Sequence, residues 1–208
     1  MSGYLTVDGQ FEDLTVIERS KFICNIKGVQ SEDEAKDFIS QVKKIHSLAT
    51  HNCYAYIADE RGLIQKFSDD GEPQGTAGMP MLEVLKAKKL YKTVAVVTRY
   101  FGGVKLGAGG LVRAYSGAVS SCCEVAKIAN MQPVTYFSVI SDYENYSKIL
   151  SLTAKQGLAV VNTDFGDSIS LTIAVFLDEI VSFEQALSNI FRGKAVYSKL
   201  NDGFYNFG

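Results

Sequence analysis

Apolar residues fall along the chain in strand and helix rhythms that alternate as far as residue 126. Val16, Ile17, Phe22, Ile23 and Ile26, closed by Lys27-Gly28, predict a strand over 15–29. Ser31 with Glu34 three residues on has the form of a capping box, and Ala35, Phe38, Ile39, Val42 and Ile45 follow at helical spacing. Residues 53–58 read as a strand, Arg61-Gly62 as a turn, and 63–67 as the hairpin partner. The segment SDDGEPQGTAGMP, 68–80, carries three glycines and two prolines and predicts a loop. Met81, Leu82, Leu85 and Leu90 then mark a helix, and the β-branched run 93–97 a buried strand. In RYFGGVKLGAGG, 99–110, five of the last nine residues are glycine, and 111–126 resumes as a helix of small residues.

From Met131 the rhythm restarts: strand 134–140, helix 143–156, strands 158–162 and 168–176, helix 182–191, strand 194–200. This β-α-β-β-α-β order predicts a ferredoxin-like unit, two helices over one face of a four-stranded antiparallel sheet. Asn130, Gln132 and Pro133 mark the junction. The expectation is an α+β protein of two domains, 1–130 and 131–208.

The 208 residues include 47% hydrophobic and 21% charged side chains with three prolines, the profile of an ordinary globular protein. The N-terminus lacks the basic start and apolar run of a signal peptide, and no stretch of about 18 apolar residues exists, so neither export nor a membrane span is expected. Cys24, Cys53, Cys122 and Cys123 lack C-x-x-C spacing and fit a reducing cytoplasm, where packing is their plainest role. Net charge is −2, which excludes a protein that coats nucleic acid by bulk electrostatics. Locally the balance differs. Residues 83–113 hold Lys86, Lys88, Lys89, Lys92, Arg99, Lys105 and Arg113 against Glu83, a basic field suited to an anionic partner, although Lys86 to Lys92 also read as a solvated helix face.

Glycine at 102, 103, 107, 109 and 110 frees the backbone for close approach, and the loop opens a helix whose N-terminus attracts phosphate or carboxylate. Arg99, Gly102, Gly103, Lys105, Gly107, Gly109, Gly110 and Arg113 are therefore candidate anion- or nucleic-acid-binding residues. The competing reading is close helix–strand packing. Neither a phosphate-binding P-loop nor the dinucleotide fingerprint is complete. Asp69, Asp70, Glu72, Gln74 and Thr76 form a second candidate loop, whose acids do not follow an EF-hand pattern. His51 and Cys53 share one side of a strand, but with no second matched cluster a packed polar pair is the plainer reading. His46 fits a helix-end dipole contact. No catalytic residue, metal site or cofactor is expected, and an enzyme is not indicated.

DDGEPQGTAGMP (69–80) and VTRYFGGVKLGAGGLVRAYSGAV (97–119), with ERSKF (18–22) and H-x-C-x-A (51–55), closely resemble the signature of the IMPACT family. The resemblance implies an N-terminal domain like the second domain of ribosomal protein S5 and a C-terminal domain like the last domain of the translocation elongation factor. Both relatives belong to translation. Eukaryotic members regulate translation by binding the activator of a stress kinase through an additional N-terminal domain, so that role is not expected of this bacterial-type chain. The resemblance implies a non-enzymatic binding or regulatory protein acting on RNA, the ribosome or a translation-related protein. Arg99, Lys105, Arg113 and the glycine amides would meet phosphates, and Tyr100, Phe101 and Tyr115 would be available to stack on bases. Two alternatives stay open: a protein-binding module contacted through 69–80, and a nucleotide- or phosphate-binding enzyme using the glycine-rich loop, the latter by fold analogy alone.

Overall fold

In the computed structural model, which describes residues 2–208, the apolar run at 15–29 is not one strand. After β1 (Tyr4–Val7), strand β2 (Gln10–Ile17) pairs antiparallel with β3 (Ser20–Gly28), with Ile17 opposite Ser20. Glu18 and Arg19 between them take left-handed φ of 45° and 65°. Two such residues make the tight turn whose twist matches a hairpin. Neither is Asn or Gly, so the turn left no mark in the composition.

Next come α1 (Glu32–Ile45), β4 (His51–Ile57), β5 (Gln65–Ser68), α2 (Gly78–Ala87), β6 (Thr93–Tyr100) and α3 (Gly107–Val125). The sheet runs β2-β3-β6-β4-β5, antiparallel throughout. Its central strand β6 is apolar on both faces because both are covered. Ala95 and Val97 pack with Phe22, Cys53, Met81, Leu85, Leu111 and Tyr115 beneath α2 and α3. Val94 and Val96 pack with Tyr56, Phe38 and Val42 beneath α1.

The starts of α1 and α2 are fixed by specific acceptors. Ser31 Oγ accepts the Glu34 amide at 3.2 Å, while Glu34 Oε2 takes the Gln30 amide at 2.8 Å. Helix α2 begins three residues before the sequence pattern places it. Asp69, reaching from the loop, accepts the amides of Ala77 (3.0 Å) and Gly78 (2.8 Å) on Oδ1 and that of Gly75 (2.8 Å) on Oδ2. That carboxylate satisfies donors that the start of a helix leaves open, and Pro80 in the first turn suits its fixed φ.

The chain divides into two units, Tyr4–Ala129 and Asn130–Gly208, the latter joined by residues 2 and 3. The second unit is built from β7 (Ile128–Ser141), α4 (Tyr143–Gln156), β8 (Ala159–Phe165), β9 (Ile169–Phe176), α5 (Ile180–Ile190) and β10 (Val196–Asn206). Its order β10-β7-β9-β8 is the ferredoxin-like arrangement. Phe137, Ile149, Leu171, Ile173, Phe183 and Leu187 form its core. Asp142 caps α4 at one end and Gly157, at φ 67°, ends it.

Ser31→Ala should lower stability toward urea by about 1 kcal/mol with an unchanged denaturant slope. An unchanged midpoint would mean that Glu34 alone secures the start of α1.

Candidate functional site

The loop between β5 and α2 is held at its base by three carboxylates. Asp69 serves the amides described above, and its carbonyl accepts the Glu72 amide at 2.9 Å and the Cys53 thiol at 2.9 Å. Asp70 takes the Asn52 amide on Oδ2 (2.7 Å) and the Lys43 ammonium on Oδ1 (2.6 Å), and its carbonyl lies 2.8 Å from His51 Nδ1. Desolvation pushes the Asp70 carboxyl up, but the Lys43 and Asn52 hydrogen bonds outweigh it and hold the group below its usual range. Gly71, at φ 87°, then turns the chain inward.

That turn delivers Glu72 beneath the other glycine-rich segment. Its Oε1 accepts Arg99 Nη1 at 2.8 Å and the Tyr115 hydroxyl at 2.7 Å, with His51 Nε2 at 3.9 Å. Arg99 and Glu72 are 5% and 8% exposed. Arg99 continues the Ala95/Val97 face of β6, which aims its side chain toward α3. Its guanidinium carbon stands 5.4 Å from the ring centres of both Phe22 and Phe101, and Phe22 meets Tyr115 edge to face at 5.3 Å. Nε of Arg99 is buried without a hydrogen-bond partner. Burial also pushes the Cys53 thiol up to about 12, against a lowering by the neighbouring Tyr115 hydroxyl, so it stays protonated at neutral pH.

Beyond β6 the chain leaves the sheet through Phe101 and Gly102. The Phe101 amide donates to Thr50 Oγ1 at 3.2 Å and the Gly102 amide to Ser20 Oγ at 3.1 Å. A Cβ at Gly102 would sit 2.0 Å from the Arg19 carbonyl carbon, so this glycine lets the loop lie on the β2–β3 turn. Gly103 and Gly107 take φ of 86° and 69°. Helix α3 then opens at Gly107 with no side-chain cap, leaving its first amides available. Between these pieces lies a cavity of about 370 Å³, walled by Glu72, Arg99, Phe101, Lys105, Gly107 and Leu111 among others. The two glycine-rich segments therefore meet in space.

A model of the Impact N-terminal domain matches residues 18–123, a span that includes every residue named around this cavity. Across 195 residues the chain is 40% identical to the IMPACT family member YvyE of Bacillus subtilis, covering 94% of this chain and 90% of that one. The chain belongs to the IMPACT family. The IMPACT family member YigZ of Escherichia coli is 34% identical over 179 residues, 85% of this chain and 88% of its own. The rat Protein IMPACT is 35% identical over 95 residues, 43% of this chain and 29% of that protein. A model described as a domain of unknown function (DUF1949) matches residues 139–194. A crystal structure of a hypothetical protein, 30% identical, superposes with a TM-score of 0.63 over 97% of this chain and 98% of that one.

In this IMPACT family member the sequence-predicted residues divide by exposure. Lys105 and Arg113 are exposed, and the Arg113 side chain lies over Gly109, where an added Cβ would be 3.6 Å from Nη1. Gly110 backs onto Leu106, with an added Cβ 2.9 Å from the leucine Cβ. Gln74 is exposed, while Thr76 is buried with its hydroxyl on the Pro73 carbonyl at 2.6 Å. Asp69, Asp70 and Glu72 are engaged within the protein, as is Arg99. The wider basic field is partly neutralised by Lys86–Glu83 at 3.1 Å and Lys88–Glu124 at 2.7 Å. Tyr115 is buried and Tyr100 bonds His46 Nδ1 at 3.0 Å, whereas Phe101 is 47% exposed. Of the three aromatics expected to be available for stacking, Phe101 is thus the most accessible. His51 and Cys53 are each tied to the loop backbone, and among the described residues no group of three or more His, Cys, Asp or Glu stands ready for a metal ion. No helix among them is long and apolar enough to cross a membrane.

Gly102→Ala should destabilise the protein by about 1–3 kcal/mol through the clash with Arg19, measured by urea unfolding. Wild-type stability in this variant would show that the loop does not need its contact with the β2–β3 turn.

Proposed function

We propose that this IMPACT family member is a non-enzymatic RNA-binding protein whose cavity between the two glycine-rich loops takes one phosphate and an adjacent base. The observation that carries the reading is the composition of that cavity. A half-exposed Phe101, the exposed Lys105 and the uncapped N-terminus of α3 converge on an Arg99 guanidinium with an unpaired Nε. A buried donor without an acceptor costs about 1–3 kcal/mol, and a small rotation of the Arg99 side chain toward the cavity would let a bound phosphate oxygen accept from it. The α3 amides add their own preference for anions. Phe101 supplies a stacking face of the kind that single-stranded RNA uses without base selectivity.

Glu72 supports a second reading. It cancels the Arg99 charge inside the wall, so the excess positive charge comes from Lys105, Arg113 and the helix terminus alone. A surface neutralised in this way also suits a protein partner of the translation apparatus, held with little dependence on salt. Salt dependence separates the two.

Single-stranded RNA binding, followed by fluorescence anisotropy from about 50 to about 200 mM salt, should fall linearly on logarithmic axes. Lys105→Ala and Arg113→Ala should each flatten the slope by about 0.7. Phe101→Ala should weaken binding by about 1–3 kcal/mol and leave the slope alone. Absence of RNA binding by the wild type, or affinity indifferent to all three changes, would remove this reading in favour of the protein partner.

A further inference from the structure

A second depression lies on the opposite side of the N-terminal sheet. Helix α1 covers β6 and part of β4 but leaves the outer edge toward β5 open, and the resulting groove holds about 570 Å³. One wall is a stripe of α1 in which Lys36, Lys43 and Lys44 recur at helical spacing. The floor is the sheet face carrying Tyr54, Tyr56 and Lys66, the last directly across from Tyr56 in the β4–β5 ladder. The two tyrosine rings lie parallel within 8°, and the Lys43 ammonium stands 5.8 Å from the centre of the Tyr54 ring.

Charge in this groove is unbalanced. Lys36 pairs with Glu32 at 3.2 Å and Asp33 at 3.4 Å, and Lys43 pairs with Asp70 at 2.6 Å. Lys44 and Lys66 are exposed and make no ion pair with any described residue. Glu32 is further occupied by the Tyr56 hydroxyl at 2.6 Å. The groove thus carries two ammonium groups without an ion pair, Lys44 and Lys66, the latter also felt by Glu32, beside the half-buried Tyr54 ring. An isolated solvated lysine has no use for such a floor, whereas a strand of phosphates and bases uses both.

One short chain segment runs from the groove side to the cavity described above. Lys43, on the groove side, holds Asp70, and two residues on, Glu72 walls the cavity. Gly71 between them is exposed and bears no side chain to obstruct a strand crossing the corner. From this placement we infer that the α1/β4–β5 groove is a second contact site for single-stranded RNA, in which Lys44 and Lys66 meet phosphates and Tyr54 lies against a base. This rests on the reading of the protein as an RNA binder, and it extends the footprint from one nucleotide site to a path around the 69–72 corner.

The test compares four proteins on the same labelled single-stranded RNA: wild type, Lys44→Ala/Lys66→Ala, Lys105→Ala/Arg113→Ala, and the quadruple variant. All four changes are at exposed positions, and circular dichroism confirms that each variant is folded. The groove pair should flatten the logarithmic salt slope by about 1.4, two contacts' worth, and the quadruple variant by about twice that. A slope changed by Lys105→Ala/Arg113→Ala and untouched by Lys44→Ala/Lys66→Ala overturns the groove while leaving the cavity reading intact. The reverse pattern keeps the groove and removes the cavity. Absence of binding by the wild type removes both. Polyglutamate competing as well as unlabelled RNA at equal charge would assign the groove to an acidic protein segment instead and overturn the RNA assignment.

Discussion

The buried pair between Glu72 and Arg99 is the contact on which the N-terminal unit's two glycine-rich loops depend. Both side chains are largely buried, so each pays a desolvation penalty of several kcal/mol, which only close and multiple contacts repay. The protein supplies those contacts from four elements. Arg99 comes from the last residues of β6, Glu72 from the loop before α2, the Tyr115 hydroxyl from α3, and the Phe22 ring from β3. Such a cluster is stable only if its members arrive together, and the rest of the loop chemistry secures their arrival. Asp69 fixes where α2 starts, Asp70 pins the loop to β4 and α1, and Gly102 lets the opposite loop settle against Arg19.

This dependence explains which parts of the architecture were legible in the sequence. Elements whose periodicity is decided by one covered face were readable: α1 from its apolar spacing and Ser31–Glu34, α4 and the ferredoxin-like order from their strand and helix rhythm. Failures occur where a side chain distant in sequence overrides local preference. Helix α2 reaches back to Gly78 because Asp69 caps it, which no local signal at 78–80 announces. The turn at Glu18-Arg19 is held in left-handed geometry by the strands on either side, and its residues are not those that favour such turns.

The site itself was legible as two segments and not as one cavity. The glycines of 102–110 signalled close approach, and the physical partner turns out to be the backbone of Arg19 at Gly102 and open space at Gly103 and Gly107. Arg99 reads in sequence as one more member of a basic field, because nothing in its neighbourhood encodes that Glu72, 27 positions away, will face it. Among the aromatics, Tyr115 misled for a related reason. Tyr115 carries a hydroxyl but lies on the buried side of α3, whereas Phe101 follows the end of β6, where the sheet no longer covers it. The lysine stripe of α1 marks a basic helix face but gives no signal of a groove until β5 places Lys66 opposite Tyr56.

The most direct test of this organisation is a double-mutant cycle on Glu72→Gln and Arg99→Met, read as stability toward urea. Each single change should remove about 3–5 kcal/mol by stranding the other charge. The double variant should lose little more than the worse single, so the coupling should approach the smaller single loss, about 3 kcal/mol or more. Losses that add, with a coupling below about 0.5 kcal/mol, would mean that the two loops are held together by something other than this pair.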